Sequence, residues 1–336
     1  MTGPILEIRG LRLAIDTDEG IARILDHIDL AVERGRILGL VGESGCGKST
    51  IIRAILGVLP SGERIGAGTI RFDGEDLLAL PERELNLRIR GRRIGFIPQD
   101  PYLALNPVFK VGTQLTEILR WHGPDRPAGT RRERQAHDRR RLVELLRRVQ
   151  LPNPEGALER YPHQFSGGQR QRLVIAAALS TAPSLVIADE PTTALDVTTQ
   201  QQILNLLREL TAEFGLSMLF VTHDLGVVAQ LCDDLCVVYA GQTVESGEAA
   251  EILAHPRHPY TKALLACHPD RAQAFDGIAG TVPSPYDARG GCRFAPRCRD
   301  ALVSCETRRP HLSLDPAGRG RRVDCALYDT TADEAA

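Results

Sequence analysis

The stretch GESGCGKST, residues 42–50, decides the fold that we predict for this chain of 336 residues. It fits the pattern G-x-x-x-x-G-K-[ST] from Gly42 to Ser49, in which a glycine-rich loop winds around a phosphate with its N–H groups pointing inward. An apolar run at 37–41 precedes the loop and an apolar, helix-like run follows it. This strand–loop–helix context predicts an α/β fold built around a phosphate site at a helix N-terminus.

The loop supplies the predicted contacts to a nucleotide and to its metal ion. Lys48 is expected to reach the β- and γ-phosphates, and the Ser49 hydroxyl is expected to hold Mg²⁺. The residues that we assign to ATP binding in this stretch are Gly42, Ser44, Gly45, Gly47, Lys48, Ser49 and Thr50.

Two further apolar runs end in groups that suit nucleotide hydrolysis. LVIADE (185–190) ends in Asp189, which can bind Mg²⁺ directly or through water, and Glu190, which can act as general base toward the attacking water. MLFVTHD (218–224) contains His223, for which we expect a contact to the γ-phosphate and the base. Taken alone these would be an ordinary acidic pair and a strand-end histidine. The loop makes the functional interpretation stronger, because strand ends of one parallel sheet converge at the same face.

Composition and charge exclude some classes of protein. A net charge of −2 argues against a surface built for nucleic acid. The charge-dense stretch at 126–141 carries no interleaved aromatic residues, so we expect a loop that leads into a solvated helix face. The N-terminus lacks the pattern of a secretory signal, and the longest uncharged run, 173–188, is too short to span a bilayer. We therefore expect a soluble, cytoplasmic chain.

Three more motifs, in a fixed order, carry a family resemblance. They are FIPQD (96–100), FSGGQRQR (165–172) and ADEPTTALD (188–196). With the phosphate loop and His223, they resemble the ATP-binding subunits of ABC transporters over about residues 5–265. The resemblance implies an α/β P-loop NTPase (ABC ATPase) at 1–265 with an N-terminal β-subdomain and a helical subdomain at about 103–180. A small Cys-rich extension at 266–336 would follow.

The resemblance also implies a role for each motif. Gln99 would contact Mg²⁺ and water and respond to the membrane subunit, which completes a catalytic set with Lys48, Glu190 and His223. The Ser-Gly-Gly-Gln motif would complete the ATP site of an opposing subunit, and the ALD segment would span the dimer seam. The residues concerned are Ser166, Gly167, Gly168, Gln169 and Asp196. ATP hydrolysis would then reopen a dimer closed around two ATP molecules.

Two positions depart from the family pattern. Phe165 stands where leucine is usual, an apolar exchange that leaves the neighbouring Ser-Gly-Gly contacts possible. Ile15 stands where an aromatic ring usually stacks on adenine, so the base would rest on aliphatic surface.

A narrower resemblance predicts the transported solute. The stretches at 96–107, 160–172 and 255–269 are similar to the ATP-binding subunits of bacterial dipeptide, oligopeptide and nickel importers. This implies an ATPase that powers uptake of peptides or a related solute from the cytoplasmic side of the inner membrane. Its partners would be two permease subunits, a second, sister ATPase and, indirectly, an external solute-binding protein. No nucleic acid is expected.

The alternative is a soluble ABC ATPase that acts on nucleic acid or ribosomes. Such proteins often carry two ATPase cassettes or a long coiled-coil insertion, and this sequence has neither.

Four cysteines, Cys292, Cys298, Cys305 and Cys325, crowd the C-terminal region. A reducing compartment disfavours disulfides, and the close C-x₂₋₄-C pairs of structural zinc sites are absent. Thiolates alone can also ligate a 4Fe–4S cluster. The four cysteines by themselves are compatible with a 4Fe–4S cluster, with a zinc site or with unliganded thiols. The peptide-importer ATPases carry a similar stretch that holds a 4Fe–4S cluster in some members, so the resemblance implies a cluster, with Zn²⁺ as the alternative.

Overall fold

A computed structural model describes residues 3–124, 128–267, 277–287, 290–307, 313–314 and 321–328. The strands are β1 (Leu6–Thr17), β2 (Gly20–Val32), β3 (Ile37–Val41), β4 (Glu63–Phe72), β5 (Glu75–Asp76), β6 (Ile94–Ile97), β7 (Leu185–Asp189), β8 (Ser217–Thr222), β9 (Asp234–Tyr239), β10 (Gln242–Glu248), β11 (Ser313–Leu314) and β12 (Arg322–Val323). The α-helices are α1 (Lys48–Leu56), α2 (Glu82–Glu84), α3 (Val111–His122), α4 (Arg131–Arg148), α5 (Pro154–Ala157), α6 (Gly167–Leu179), α7 (Val197–Phe214), α8 (Leu225–Leu231), α9 (Ala249–Ala254) and α10 (Pro259–Ala266).

The chain forms two units. The first comprises Met1–Glu33, Ile37–Ala79 and Val221–Ala336, and the second comprises Arg34–Arg36 and Leu80–Phe220. Within the described residues no helix is both long and apolar enough to cross a membrane.

The first unit contains an antiparallel sheet in the order β2-β1-β4-β5. Along β1, Leu6 and Ile8 are buried while Arg9 is exposed. The same unit contains the strand order β11-β12-β10-β9-β3, in which β3 and β9 are parallel and the remaining pairs are antiparallel. All five residues of β3 are buried, as expected for a strand covered on both faces.

The second unit contains β6, β7 and residues 217–220 of β8 in the strand order β8-β7-β6, with β6 and β7 parallel. Helix α4 packs against α3, α5 and α6. The four apolar residues within 142–146 supply the buried face, and among them Leu142 and Leu146 are almost fully buried. The predicted mixture of parallel strands and helices is thus confirmed.

The loop within 126–141 is shorter than expected, because α4 begins at Arg131, but the expected solvated helix face is confirmed, since residues 131–136 are exposed. Thr130 Oγ1 accepts a hydrogen bond from the Glu133 N–H at 3.3 Å, and the Thr130 N–H donates to Glu133 Oε2 at 2.7 Å. This reciprocal pair satisfies two donors at the helix start, and the hydrogen bond from the Thr130 N–H lowers the pKa of the Glu133 carboxyl. The cap lets a strongly charged segment form a helix.

Three buried aromatic residues from the C-terminal part of the first unit form a cluster. Tyr239, Tyr260 and Phe294 pack with ring centroids 4.6–5.4 Å apart, and all three are almost fully buried. The Pro-rich stretch at 255–258 leads directly into the short helix α10. His258 caps α10 by accepting from the Tyr260 N–H at 3.0 Å. Burial lowers the pKa of His258 to about 3, so this imidazole is neutral at physiological pH.

Candidate functional site

The predicted strand–loop–helix arrangement of the phosphate site is confirmed. β3 ends at Val41, the loop follows, and α1 begins at Lys48. The Lys48 side chain is buried, and its ammonium donates to the carbonyl oxygens of Gly42 at 2.7 Å and Glu43 at 3.2 Å. A charged amine is therefore held inside the loop, at the N-terminus of a helix, where a phosphate is best stabilised.

The remaining loop residues divide into exposed and buried ones. Ser44, Gly45 and Ser49 are exposed, which leaves them open to a ligand. Thr50 is buried, and its Oγ1 accepts a hydrogen bond from Arg53 Nη2 at 3.3 Å. Gly47 has a φ of 106°, a left-handed conformation that glycine adopts without strain.

Gly42 leaves no room for a side chain. A Cβ at this position would lie 2.1 Å from the Val238 carbonyl oxygen, which belongs to the backbone of β9. We therefore expect Gly42→Ala to lower the free energy of unfolding by about 1–3 kcal/mol, the usual cost of overpacking. Urea unfolding of the full chain measures this. Gly66→Ala is the control, because a Cβ there meets nothing within 4 Å. Equal stability of the two variants would contradict the prediction.

The acidic residues predicted for hydrolysis lie at the end of β7 in the second unit. Asp189 is the last residue of the strand and Glu190 follows with a φ of 44°. Glu190 Oε2 accepts hydrogen bonds from Gln99 Nε2 at 3.3 Å and from Thr193 Oγ1 at 3.1 Å. The structure thus brings Gln99 and Glu190 together, although 91 positions separate them in the sequence.

The Ser-Gly-Gly-Gln motif forms the first turn of α6. Ser166 Oγ accepts from the Gln169 N–H at 3.3 Å, and Gln169 Oε1 accepts from the Ser166 N–H at 3.2 Å. Gly167 and Gly168 then open the helix, and a Cβ on Gly168 would lie 2.6 Å from Thr199 Cγ2. These small residues leave backbone N–H groups accessible at a helix N-terminus.

Two neighbours of this motif have defined structural roles. Phe165 is buried, and the Arg160 guanidinium lies 4.2 Å from its ring centroid, so the ring is held by its own unit. Asp196 caps α7, where its carboxylate accepts from the Thr199 N–H at 3.0 Å and from Thr199 Oγ1 at 2.7 Å. These hydrogen bonds, the backbone one first, lower the pKa of Asp196.

His223 follows β8 and is exposed. It belongs to the first unit with the phosphate loop, whereas Gln99, Glu190 and the motif at 166–169 belong to the second.

Ile15 lies half-buried in β1, in register with Ala22. An aromatic ring from the C-terminal region lies at the adjoining hairpin. The Tyr286 hydroxyl is 3.1 Å from Thr17 Oγ1, and the Pro285 carbonyl accepts from the Arg23 N–H at 2.8 Å.

The four C-terminal cysteines lie in the first unit as free thiols. The Cys292 N–H donates to the Cys305 carbonyl at 2.9 Å, and each thiol interacts electrostatically with at least one other. Burial raises the pKa of Cys292 to about 12 and that of Cys325 to about 11, so both thiols are protonated at neutral pH. The donor set suits an iron–sulfur cluster. However, within the described ranges no group of three or more His, Cys, Asp or Glu residues is placed to hold a metal ion, so the cluster is not confirmed.

The sequence did not reveal the contacts that join the phosphate loop to the C-terminal region. Arg297 Nη1 donates to Glu43 Oε2 at 2.9 Å, and the Glu43 N–H donates to the Tyr260 hydroxyl at 2.9 Å. Glu43 and Arg297 are 254 positions apart, and no local pattern could have paired them.

Comparison with family models gives two matches. The model described as "ABC transporter" matches residues 25–193, and the model described as "Oligopeptide/dipeptide transporter, C-terminal region" matches residues 244–305. Together they cover the phosphate loop, the Ser-Gly-Gly-Gln motif and the segment that contains Cys292, Cys298 and Cys305.

Two curated relatives resemble the chain over most of its length. One is the probable D,D-dipeptide transport ATP-binding protein DdpD of Escherichia coli, 43% identical over 91% of this chain and 92% of that protein. The other is the oligopeptide transport ATP-binding protein AppD of Bacillus subtilis, 40% identical over 97% of both.

Among solved structures, the chain is similar to a dimeric post-hydrolysis state of the ATP-binding cassette MJ0796 bound to ADP and Pi. The sequences are 28% identical, the TM-score is 0.62, and the match covers 73% of this chain and 98% of that one.

Proposed function

This chain belongs to the ABC transporter family of ATP-binding proteins, and on that premise we propose that it hydrolyses ATP to drive uptake of peptides or a related solute across the cytoplasmic membrane. The observation that carries the proposal is that similarity to dipeptide and oligopeptide transport ATP-binding proteins extends over more than nine-tenths of the chain. It includes the C-terminal region, for which the oligopeptide/dipeptide transporter model matches residues 244–305.

The proposed ATP site uses the loop residues to hold the phosphates. Lys48 would turn from the loop carbonyls toward the β- and γ-phosphates, while Ser49, Asp189 and Gln99 would hold Mg²⁺. The metal ion, when bound, offsets charge on the transferred phosphoryl group. The buried ammonium of Lys48, which already donates to Gly42, supports this assignment.

The proposed chemistry needs a base for the attacking water and a contact to the γ-phosphate that is transferred to it, with ADP as the leaving group. Glu190 would accept the proton of the attacking water, because its carboxylate is oriented by Gln99 and Thr193. His223 would contact the γ-phosphate. The first turn of α6 and Asp196 would serve the ATP site of an opposing ATPase subunit. Binding of ATP and ADP to different states of that dimer would drive the cycle.

The proposal requires membrane partners. These would be two permease subunits, a second ATPase, most simply a sister chain, and an external solute-binding protein that acts through the permease. The chain would then lie peripherally on the cytoplasmic face of the membrane.

Copurification tests this proposal. The full chain, tagged and extracted with mild detergent, is expected to bring down two permease proteins, and a peptide-loaded binding protein is expected to stimulate its ATPase activity. Recovery with ribosomes or nucleic acid and without membrane proteins would support the soluble ATPase instead and refute the importer.

We also propose that Cys292, Cys298, Cys305 and Cys325 ligate a 4Fe–4S cluster. The hydrogen bond from the Cys292 N–H to the Cys305 carbonyl, at 2.9 Å, places two of these cysteines side by side within one unit and supports the idea. Four thiolates are the donor set of such clusters, and they would have to lose the protons that burial now favours.

Anaerobic purification of the full chain tests the cluster. We expect about four iron and four sulfide ions per chain, and their loss in Cys298→Ser. Cys267→Ser is the control, because Cys267 lies at the end of α10, outside the four. Stoichiometric zinc in place of iron, or no metal at all, would contradict the cluster.

A further inference from the structure

A bidentate ion pair joins the phosphate loop to the cysteine-rich segment. Glu43 is the first variable residue of the loop, and Arg297 lies between Cys292 and Cys298. Arg297 Nη1 donates to Glu43 Oε2 at 2.9 Å, and Nη2 donates to Oε1 at 3.2 Å. Two parallel hydrogen bonds fix the orientation of a carboxylate as well as its distance, which a single contact does not.

Every N–H donor of the Arg297 guanidinium makes a hydrogen bond. Besides the two bonds to Glu43, Nε donates to the Ala279 carbonyl at 2.9 Å, Nη2 to the Ile278 carbonyl at 2.8 Å and Nη1 to the Tyr239 hydroxyl at 3.1 Å. These five bonds use all five N–H donors of the side chain. The side chain is 4% exposed, and its hydrogen bonds to Glu43 raise its pKa. It is thus a fixed, permanently charged group rather than a mobile surface arginine.

The backbone that carries Arg297 is anchored as well. The Arg297 N–H donates to the Phe294 carbonyl at 2.9 Å, and the Phe294 ring packs edge-on against Tyr239 and Tyr260. The Tyr260 hydroxyl in turn accepts from the Glu43 N–H at 2.9 Å. Glu43 is therefore held at its carboxylate by Arg297 and at its backbone by Tyr260.

The residue held in this way shapes the loop. The Glu43 carbonyl accepts from Lys48 Nζ at 3.2 Å and from the Cys46 N–H at 3.2 Å, so it closes a turn inside the loop and supports the ammonium group. A loop whose N–H groups must converge on a phosphate binds more tightly when its conformation is fixed before the ligand arrives, because less entropy is lost.

We propose that Arg297 is a positioning residue of the ATP site. Through Glu43 it holds the first half of the phosphate loop in the conformation that binds nucleotide, so the cysteine-rich segment contributes to ATP affinity without touching ATP. The inference rests on the proposed ATP-binding function.

Nucleotide titration of the full chain tests this role. Arg297→Gln and Glu43→Gln each break the ion pair, and each is expected to raise the dissociation constant for MgATP about tenfold, the effect of losing a charge-assisted hydrogen-bonded contact. The double variant is expected to be no weaker than either single variant, because both changes remove the same interaction. In the transporter complex, the KM for ATP should rise by a larger factor than kcat falls.

The controls separate positioning from folding. Arg299→Gln changes an exposed arginine of the same segment and should leave the dissociation constant unchanged. Glu43→Gln keeps the test valid if Arg297→Gln does not fold, because it removes the same ion pair from the loop side. Unchanged ATP affinity in a folded Arg297→Gln or Glu43→Gln chain, even with a lower melting temperature, would overturn the proposal. Losses of ATP affinity that add up in the double variant would also overturn the proposal. If the wild-type chain failed to bind ATP, the proposed function itself would fail.

Discussion

Glu190→Gln is expected to abolish steady-state ATP hydrolysis while the chain still binds ATP. The amide keeps the shape of the side chain and can still accept from Gln99 and Thr193, which now donate to the carboxylate at 3.3 and 3.1 Å. It cannot take a proton from water, and a positioned general base contributes about 10²- to 10⁴-fold to the rate. Phosphate release measures the loss, and nucleotide titration measures the retained binding.

Glu209→Gln is a matched control for this experiment. Glu209 is an exposed carboxylate of the second unit, and like Glu190 it accepts from a glutamine amide, here Gln150 Nε2, at 3.2 Å. Its substitution should leave kcat within about twofold, since neither Glu209 nor Gln150 is among the residues assigned to ATP binding or catalysis. Hydrolysis at the wild-type rate in Glu190→Gln would show that another group acts as the base.

Arg321→Met is expected to lower the free energy of unfolding by about 3–5 kcal/mol, the cost of leaving a buried charge without its partner. Its partner Glu245 is fully buried, and Arg321 Nε donates to Glu245 Oε1 at 3.0 Å. Backbone N–H groups of Arg257 and His258 also donate to this carboxylate, at 3.0 and 3.1 Å. These neutral donors cannot balance the charge by themselves.

Urea unfolding of the full chain measures this loss. Arg322→Met is the control, because the neighbouring arginine is exposed, and it should change stability by less than about 0.5 kcal/mol. Combining Arg321→Met with Glu245→Gln should recover part of the loss, since the second change removes the stranded charge. A loss below about 1 kcal/mol in Arg321→Met alone would contradict this account of the ion pair.

The features that could be predicted are those encoded over a few consecutive residues. The buried strand before the phosphate loop and the helix after it follow from apolar runs and from Gly42 and Gly47. The start of α4 was missed because the charge density of 126–141 outweighed a short local signal. That signal was present as Thr130 followed three residues later by Glu133, the spacing of a reciprocal helix cap.

Contacts between distant parts of the chain could not be predicted. Glu43 pairs with Arg297 across 254 positions, and Glu245 pairs with Arg321 across 76. Each partner alone is an ordinary charged residue, and long-range contacts such as the packing of Phe294 against its aromatic neighbours hold the first pair together. The sequence predicts the C-terminal segment as an extension separate from the ATP site. In the structure, Arg297 of this segment contacts Glu43 of the phosphate loop directly.

Peptide uptake by the reconstituted transporter tests the central claim most directly. The chain is placed in proteoliposomes with its copurifying permease and ATPase subunits and a peptide-loaded binding protein, with ATP on the side of the ATPases. We predict that labelled peptide accumulates only when ATP is present, and that a complex carrying Glu190→Gln binds ATP without accumulating peptide. Accumulation that is independent of ATP, or that is undiminished in the Glu190→Gln complex, would contradict the account.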